Sequence, residues 1–252
     1  MKPFHACLLI ILMPFSNVFA DTLAERILSS YDAVQTLSCE IRKDTETAQG
    51  KTRMLSRVYW QRPDRVHIEN VMPSLGSGKR RIISDGKSLY IHEQDAPQGY
   101  SRPVSELDAD KLIELHKLPG TPMDHLMRLK GVEEMPLDAT PEFPVRAGYQ
   151  TARNFVVLNM DSTGRLARVQ FFKTAALDEQ IGEYEYDSFT EPLPGVWFSA
   201  LIRGGFSDMG LQLVETVRIS NLSVNEPVAP MLFVPGGFFE GIEFVPDTSG
   251  QP

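Results

Sequence analysis

The sequence predicts a mainly β protein of the α+β class, with about ten strands in one antiparallel sheet and three helices. Runs of alternating apolar and polar residues, separated by tight turns, occupy most of the chain, whereas helical spacing occurs in only three segments. Consecutive strands joined by tight turns form an antiparallel meander. A meander of this length must curl or close, because a flat sheet leaves long unpaired edges.

The composition is that of a globular protein and argues against two kinds of partner. The 252 residues are 42% hydrophobic and carry a formal net charge of −8, a balance that a wholly disordered chain does not have. A net negative charge argues against nucleic-acid binding, because the neutralisation of phosphates requires a basic surface. It also argues against electrostatic docking on anionic lipid.

The first twenty residues have the pattern of a secretory signal peptide. A short polar region precedes an apolar run at 6–15, and Val18 and Ala20 stand at positions −3 and −1 of a cleavage site. The apolar run is too short to span a bilayer. We therefore expect export, cleavage after Ala20 and a mature chain, residues 21–252, that forms a single domain.

Cys39 is the only cysteine that follows this leader, so the mature chain can form no intramolecular disulfide. Its stability must then come from a hydrophobic core. An unpaired thiol on the surface would be at risk in an oxidising compartment. We therefore expect Cys39 to be buried as a small hydrophobic residue.

The N-terminal third begins with a helix and continues as strands. The helix, predicted over 22–36, starts with a capping box formed by Thr22 and Glu25 and places apolar residues at helical spacing. Asp85-Gly86 is typical of a tight hairpin turn. Alternating patterns predict strands on both sides of this turn and before it, at 37–42, 52–61, 66–70, 80–84, 88–92 and 100–104.

Two helices and five further strands complete the pattern. Ser105 is expected to cap a helix that ends at Pro119-Gly120, and Thr121 to cap another that Gly131 closes. The segment 132–150, between these helices and the next strand, is rich in proline and is predicted to be a surface loop. The remaining strands are predicted at 155–160, 166–172, 180–189, 196–203 and 211–220.

Several strands carry large apolar residues on both faces, as Phe155, Val156, Val157 and Leu158 do. A sheet with one solvated face would instead alternate between apolar and polar residues. These strands are therefore either covered on both sides or line an apolar cavity. The pattern alone leaves both arrangements open, although three helices are few to cover ten strands.

The sequence contains none of the short motifs of hydrolases, phosphate-binding loops or metal sites. The four histidines of the mature chain, His67, His92, His116 and His125, do not have metal-ligand spacing. We therefore predict no catalytic residue, no metal and no cofactor. A hydrolase that uses His67, His92 or His125 with nearby carboxylates remains an alternative.

Two segments resemble the LolA-like family of periplasmic lipoprotein carriers. Residues 59–68 read YWQRPDRVHI, a strand that ends in Arg-Pro before an extended strand, and residues 82–90 read IISDGKSLY, similar to the family's hairpin. The segments at 225–228 and 232–236 resemble the family's C-terminal end. Relatives share these motifs, among them the outer-membrane receptor LolB and the stress-signalling regulator RseB.

The resemblance implies an unclosed antiparallel half-barrel whose concave face is covered by the helices. Its cavity would bind acyl chains of a lipoprotein or lipid, in a soluble, monomeric, non-enzymatic carrier. Arg62 occupies the position of an arginine that bonds lid carbonyls and controls opening. The residues expected to line the cavity are Val58, Trp60, Val66, Ile68, Leu112, Leu115, Leu126 and Met127.

A periplasmic carrier of this kind would work between an inner-membrane releasing complex and an outer-membrane receptor. Exposing acyl chains to water costs about 0.8 kcal/mol per CH₂, so they do not cross an aqueous space unaided. The resemblance to RseB implies an alternative, a sensor or scaffold module that binds the periplasmic segment of a membrane partner.

Overall fold

The computed structural model describes residues 21–72, 78–208 and 211–247, so the predicted signal peptide lies outside the described residues. Within these ranges the chain forms one sheet of fourteen strands and three α-helices. No helix in them has the length and apolar character that crossing a lipid bilayer would require. The helices are α1 (Leu23–Ser30), α2 (Ala109–His116) and α3 (Met123–Met127).

The strands follow one another along the chain, with the helices α2 and α3 inserted between the sixth and the seventh. Their bounds are β1 (Thr36–Thr47), β2 (Gly50–Gln61), β3 (Arg65–Met72), β4 (Gly78–Asp85), β5 (Ser88–Glu93), β6 (Gln98–Pro103), β7 (Glu134–Pro136), β8 (Val145–Gln150), β9 (Phe155–Met160), β10 (Leu166–Phe172), β11 (Gln180–Leu193), β12 (Val196–Asp208), β13 (Leu211–Val224) and β14 (Glu243–Pro246).

The sheet is open, with the order β14-β6-β5-β4-β3-β2-β1-β13-β12-β11-β10-β9-β8-β7. Neighbouring strands are antiparallel, except that β14 runs parallel to β6. The sheet curves without closing into a barrel, and the helices cover its concave face. The predicted fold class, a mainly β half-barrel, is therefore confirmed.

Three strands of the sheet were not predicted from the sequence. The strands β7 and β8 lie in the 132–150 segment that was predicted to be a loop, where prolines interrupt the alternating pattern. The strand β14 has only four residues and pairs with β6, which lies far from it in the sequence. No local pattern reveals a pairing of this kind. The sheet therefore has three more strands than the eleven segments predicted above.

The helices are shorter than predicted, and two of their caps differ. The capping box of α1 is present, with Glu25 N donating to Thr22 Oγ1 at 3.2 Å and Thr22 N donating to the Glu25 carboxylate at 3.0 Å. Ser105 instead lies in a 3₁₀ turn, and Asp108 caps α2 by accepting from Lys111 N at 2.8 Å. Asp and Ser are about equally good N-caps, so the sequence alone did not separate them.

The third helix, α3, also departs from its prediction at both ends. Its N-cap position is Pro122, and Thr121 Oγ1 accepts a long hydrogen bond of 3.4 Å from Met123 N. The helix ends at Met127, four residues before Gly131, which adopts a positive φ of 74°. The residues between Met127 and Gly131 form turns, so the glycine closes a turn and not the helix.

Both arrangements that the two-faced apolar strands left open occur in this sheet. Every residue of β9 is buried. Val156 and Leu158 pack in the cluster that joins α1 and α3 to the sheet, whereas Phe155 and Val157 pack on the opposite face. The strands β2 to β5 instead turn one face towards a cavity, which is described below.

The convex face of β3 to β5 is covered by the segment that precedes β14. The ring centroids of His67 and Phe238 lie 4.5 Å apart, and those of His92 and Phe239 lie 6.0 Å apart. The Arg81 guanidinium donates to the carbonyl oxygen of Phe238 at 3.1 Å. These contacts explain why His67 and Ile83, which are paired on the outer face of β3 and β4, are buried.

The packing of α3 on the sheet can be tested with Leu126, which is fully buried in the cluster shared by α1, α3 and β8 to β11. Leu126→Ala should lower the free energy of unfolding by about 2–5 kcal/mol, because it leaves a cavity in a packed core. Leu55→Ala is the control, since Leu55 is 41% exposed, and its effect should stay within about 0.5 kcal/mol. Equal losses in urea unfolding would contradict this packing.

Cys39 gives a second test, because it is 2% exposed and packs in the core. Burial, with a smaller contribution from Glu40, raises the pKa of its thiol to about 12. In a Cys7→Ser variant, where Cys39 is the sole cysteine, a thiol reagent should react slowly with the folded protein and rapidly in denaturant. Equal rates in the two states would place Cys39 outside the core.

Candidate functional site

An apolar cavity of about 560 Å³ lies between the concave face of the sheet and the two helices α2 and α3. Its size is within the range of small-molecule sites, roughly 300–1,000 Å³. Its wall takes side chains from β1 to β6 on one side and from β11 to β13 on the other. The apolar part of the wall includes Ile41, Met54, Val58, Trp60, Val66, Ile68, Ile82, Leu89, Ile91, Leu107, Leu115, Leu118, Ile202, Val217 and Ile219.

The floor of the cavity contains a row of aliphatic side chains that crosses four strands. Val58 on β2 pairs with Ile68 on β3, Ile68 with Ile82 on β4, and Ile82 with Ile91 on β5. Directly paired residues have Cβ atoms about 4.5–5.5 Å apart. These four residues, called the apolar row below, therefore form a continuous hydrocarbon strip that faces the cavity.

The lid of the cavity consists of α2, α3 and the link between them, residues 109–127. Trp60 Nε1 donates to the carbonyl oxygen of Leu115 on α2 at 3.3 Å. Leu115 and Leu118 pack in the same buried cluster as Trp60. The tryptophan therefore fixes the lid to the floor at one end of the cavity, next to the apolar row.

Further polar contacts hold the lid at its edges. His116 Nε2 lies 2.7 Å from the Asp64 carboxylate, in the turn between β2 and β3. Ser199 N on β12 donates to the carbonyl oxygen of Gly120 at 2.7 Å. The lid is thus tied to both walls of the cavity, and its movement away from the sheet would require these hydrogen bonds to break.

Arg62 binds main-chain carbonyls next to α1, one of the three helices on the concave face, and its control of opening remains a prediction. Its Nε donates to the carbonyl oxygen of Val34 at 2.8 Å, and its Nη2 to that of Tyr31 at 3.0 Å. A third bond of 3.0 Å reaches the Asp32 carboxylate. The planar guanidinium, with five donors, therefore binds the turn that follows α1, outside the lid of α2 and α3.

Five of the eight residues predicted for the cavity line it, namely Val58, Trp60, Val66, Ile68 and Leu115. The other three lie on α2 and α3 and do not line the cavity, because only one face of each helix is directed towards it. Leu112 and Met127 are half-buried against the cluster around Trp60, and Leu126 belongs to the cluster on β8 to β11. Contact of the five residues with a ligand remains a prediction.

The second wall of the cavity, which β11 to β13 supply, was not predicted from the sequence. Tyr186, Ile202, Val217 and Ile219 line the cavity from this side. Their alternation was visible in the sequence, but their position depends on the pairing of β1 with β13, for example Ile41 with Ile219. Only the topology shows that these strands face the same space as β2 to β5.

Charged side chains surround the apolar interior in opposed pairs. Lys43 Nζ lies 2.5 Å from the Glu215 carboxylate, and Lys117 Nζ lies 2.7 Å from that of Glu114. The side chain of His125 is largely buried, and burial lowers its pKa, so the ring is neutral near pH 7. An apolar interior with a polar margin is suited to an amphiphilic ligand.

The four histidines do not form a catalytic group in the described ranges. His67 packs between the rings of Tyr59 and Phe238, and burial lowers its pKa. His92 Nε2 lies 3.1 Å from the carbonyl oxygen of Ala96. The described residues contain no group of three metal-ligating side chains. The hydrolase alternative therefore gains no support from the arrangement of these side chains.

The comparisons with known proteins bear on the fold. No protein-family model matches the sequence, and no curated protein matches it. A solved domain from Vibrio parahaemolyticus, described as an outer membrane lipoprotein-sorting protein, superposes with a TM-score of 0.53 and 10% identity over 84% of this chain and 96% of its own. A LolA superfamily protein from Nitrosomonas europaea superposes with a TM-score of 0.50 and 12% identity, over 84% and 98%.

At such low identity the likeness concerns the fold alone. The open curved sheet and the covering helices of this chain are the features that the sequence resemblance implied. That resemblance is therefore confirmed at the level of the fold. The chain is therefore similar in fold to these two solved proteins.

Proposed function

We propose that the chain is an exported, non-enzymatic carrier that binds an acyl chain of a lipoprotein or lipid. The carrier would move this ligand through the periplasm towards the outer membrane. The observation that supports the proposal most directly is the apolar row beneath a lid fixed by hydrogen bonds, in a cavity of about 560 Å³. The signal-peptide pattern of the first twenty residues supports export.

The chemistry of the cavity matches the requirement of such transport. Each CH₂ group that leaves water gains about 0.8 kcal/mol, and the cavity wall offers aliphatic and aromatic side chains to receive it. Release then needs a second state with lower affinity, because a ligand shifts an equilibrium only by its differential affinity. Opening of the lid, promoted by an inner-membrane complex or an outer-membrane receptor, would supply that state.

A sensor or scaffold is the second candidate, and one feature of the C-terminal segment favours it. Met231 and Val234 are exposed apolar residues in the turns that precede β14. A pair of this kind offers a contact to a protein partner, such as the periplasmic segment of a membrane protein. The two candidates differ in one respect, since a carrier delivers its lipid to an acceptor and a sensor retains it.

Lipid binding can be tested by mass spectrometry of extracts from protein purified without detergent. The wild-type protein should carry an acyl-containing molecule. Ile82→Glu should remove at least about nine-tenths of it, because a charged carboxylate in the centre of the apolar row replaces hydrocarbon that would contact the acyl chain. Thermal unfolding shows whether the variant remains folded.

Leu55→Glu is the matched control for Ile82→Glu. It introduces the same charge on the neighbouring part of the sheet, but Leu55 is exposed and lies outside the lining of the cavity. This variant should carry as much lipid as the wild type. If Ile82→Glu also retains the wild-type amount, the cavity is not the binding site and the proposal fails.

Arg62 tests whether the turn after α1 influences release. Arg62→Leu removes the hydrogen bonds to Tyr31 and Val34, so the amides of residues 31–36 should exchange faster and the rate of lipid release should change. The control is Arg57→Leu, since Arg57 is exposed and pairs with Glu40 at 3.2 Å. A release rate equal to that of the wild type would exclude Arg62 from control of the cavity.

A further inference from the structure

A polar row runs beside the apolar row on the cavity floor. Ser56 on β2 pairs with Asn70 on β3, and Asn70 pairs with Arg80 on β4. Each of these residues lies two positions before or after a member of the apolar row on its own strand, and residues two apart share one face of a sheet. All three line the cavity. The spacing between the two rows is therefore roughly 7 Å.

The rows have a fixed order with respect to the lid. Trp60 and Val66 form the next row on the other side of the apolar row, and Trp60 is bonded to the lid. The apolar row thus separates the lid anchor from the polar row. A ligand with its tail under the lid would place its polar end at Ser56, Asn70 and Arg80.

Hydrogen bonding within the polar row leaves donors available to a ligand. Ser56 Oγ donates to Asn70 Oδ1 at 2.7 Å, which occupies the acceptor of the amide. Among the bonds of the described residues, the Asn70 side chain only accepts, so its amide nitrogen can donate to a ligand. Arg80 Nε makes no aligned hydrogen bond, but it lies 3.3 Å from the carboxylate of Glu93, the residue paired with Arg80 on β5.

Glu93 does not neutralise the polar row inside the cavity. Its side chain is more exposed than that of Arg80, and it is absent from the cavity lining. An ion pair between exposed groups contributes little to stability. Arg80 can therefore exchange this contact for an anion inside the cavity, and guanidinium groups favour carboxylate and phosphate oxygens.

We propose that Asn70 and Arg80 form a head-group site for an anionic amphiphile, with the tail lying along the apolar row. This inference rests on the proposed binding of acyl chains and adds to it the chemistry of the ligand's polar end. The shared feature of the head group is an anionic oxygen, which either a carboxylate or a phosphate supplies. Charge-assisted hydrogen bonds of this type are stronger than hydrogen bonds between neutral groups.

The test measures the binding of hexadecanoate, hexadecyl phosphate and hexadecanol, which share one tail length, by displacement of a fluorescent acyl probe. The wild-type protein should bind at least one of the two anions about tenfold more tightly than the alcohol. The preferred anion then identifies the head group as a carboxylate, a phosphate or either. Equal binding of all three would overturn the head-group site and leave the carrier proposal intact.

Variants of Arg80 separate charge from structure. Arg80→Gln should reduce the preference for anions to less than about threefold without changing the binding of hexadecanol, and Arg80→Lys should retain part of the preference. Arg57→Gln is the control, because Arg57 lies on the outer face of the sheet and outside the lining of the cavity. An unchanged preference in Arg80→Gln would overturn the assignment. Failure of all three amphiphiles to bind the wild type would overturn the carrier proposal as well.

Discussion

The pairing of β1 with β13 is the constraint on which the rest of the structure depends. It joins the N-terminal strands to the C-terminal ones along residues 37–47 and 213–224. Without this pairing, the apolar row of β2 to β5 would have no opposite wall, since β11 to β13 would not face it. The curved sheet that results has one concave face, where α1, α2 and α3 are placed. The cavity is therefore a property of the long-range topology.

A protein interior is normally packed to crystal density, so an apolar space of this size requires an explanation. Here the two buried clusters lie on both sides of it, one around Trp60 and the other around Leu126. The lid contributes side chains to both clusters, and hydrogen bonds such as the one from Trp60 to Leu115 add to this packing. The packed clusters support the walls, and the space between the walls is available to a ligand.

The sequence predicted the parts of the fold that local patterns determine. The capping box of α1, the hairpin at Asp85-Gly86 and the burial of Cys39 all follow from neighbouring residues, and the structure has them. The caps of α2 and α3 were wrong, because several residues near each helix start are adequate caps. Arg62 donates to the main-chain carbonyls of Tyr31 and Val34, partners that only the approach of distant segments could identify.

The candidate site was predictable on one wall only. The alternation of β2 and β3 identified Val58, Trp60, Val66 and Ile68, which line the cavity. The opposite wall depends on strand pairings between residues more than 150 positions apart, and the polar row depends on the register of three strands. Periodicity reveals neither feature, because it shows on which face of a strand a side chain lies and does not show which strand is paired beside it.

The central claim is that a hydrocarbon chain occupies the cavity next to Trp60. The protein has two tryptophans, Trp60 and Trp197. Because side chains alternate between the two faces of a strand, Trp197 on β12 lies on the outer face of the sheet. A long-chain amphiphile with a brominated tail quenches the fluorescence of a tryptophan that it contacts. In a Trp197→Phe variant this ligand should quench the remaining Trp60 fluorescence strongly. If it binds and leaves Trp60 unquenched, the tail lies elsewhere and the account is contradicted.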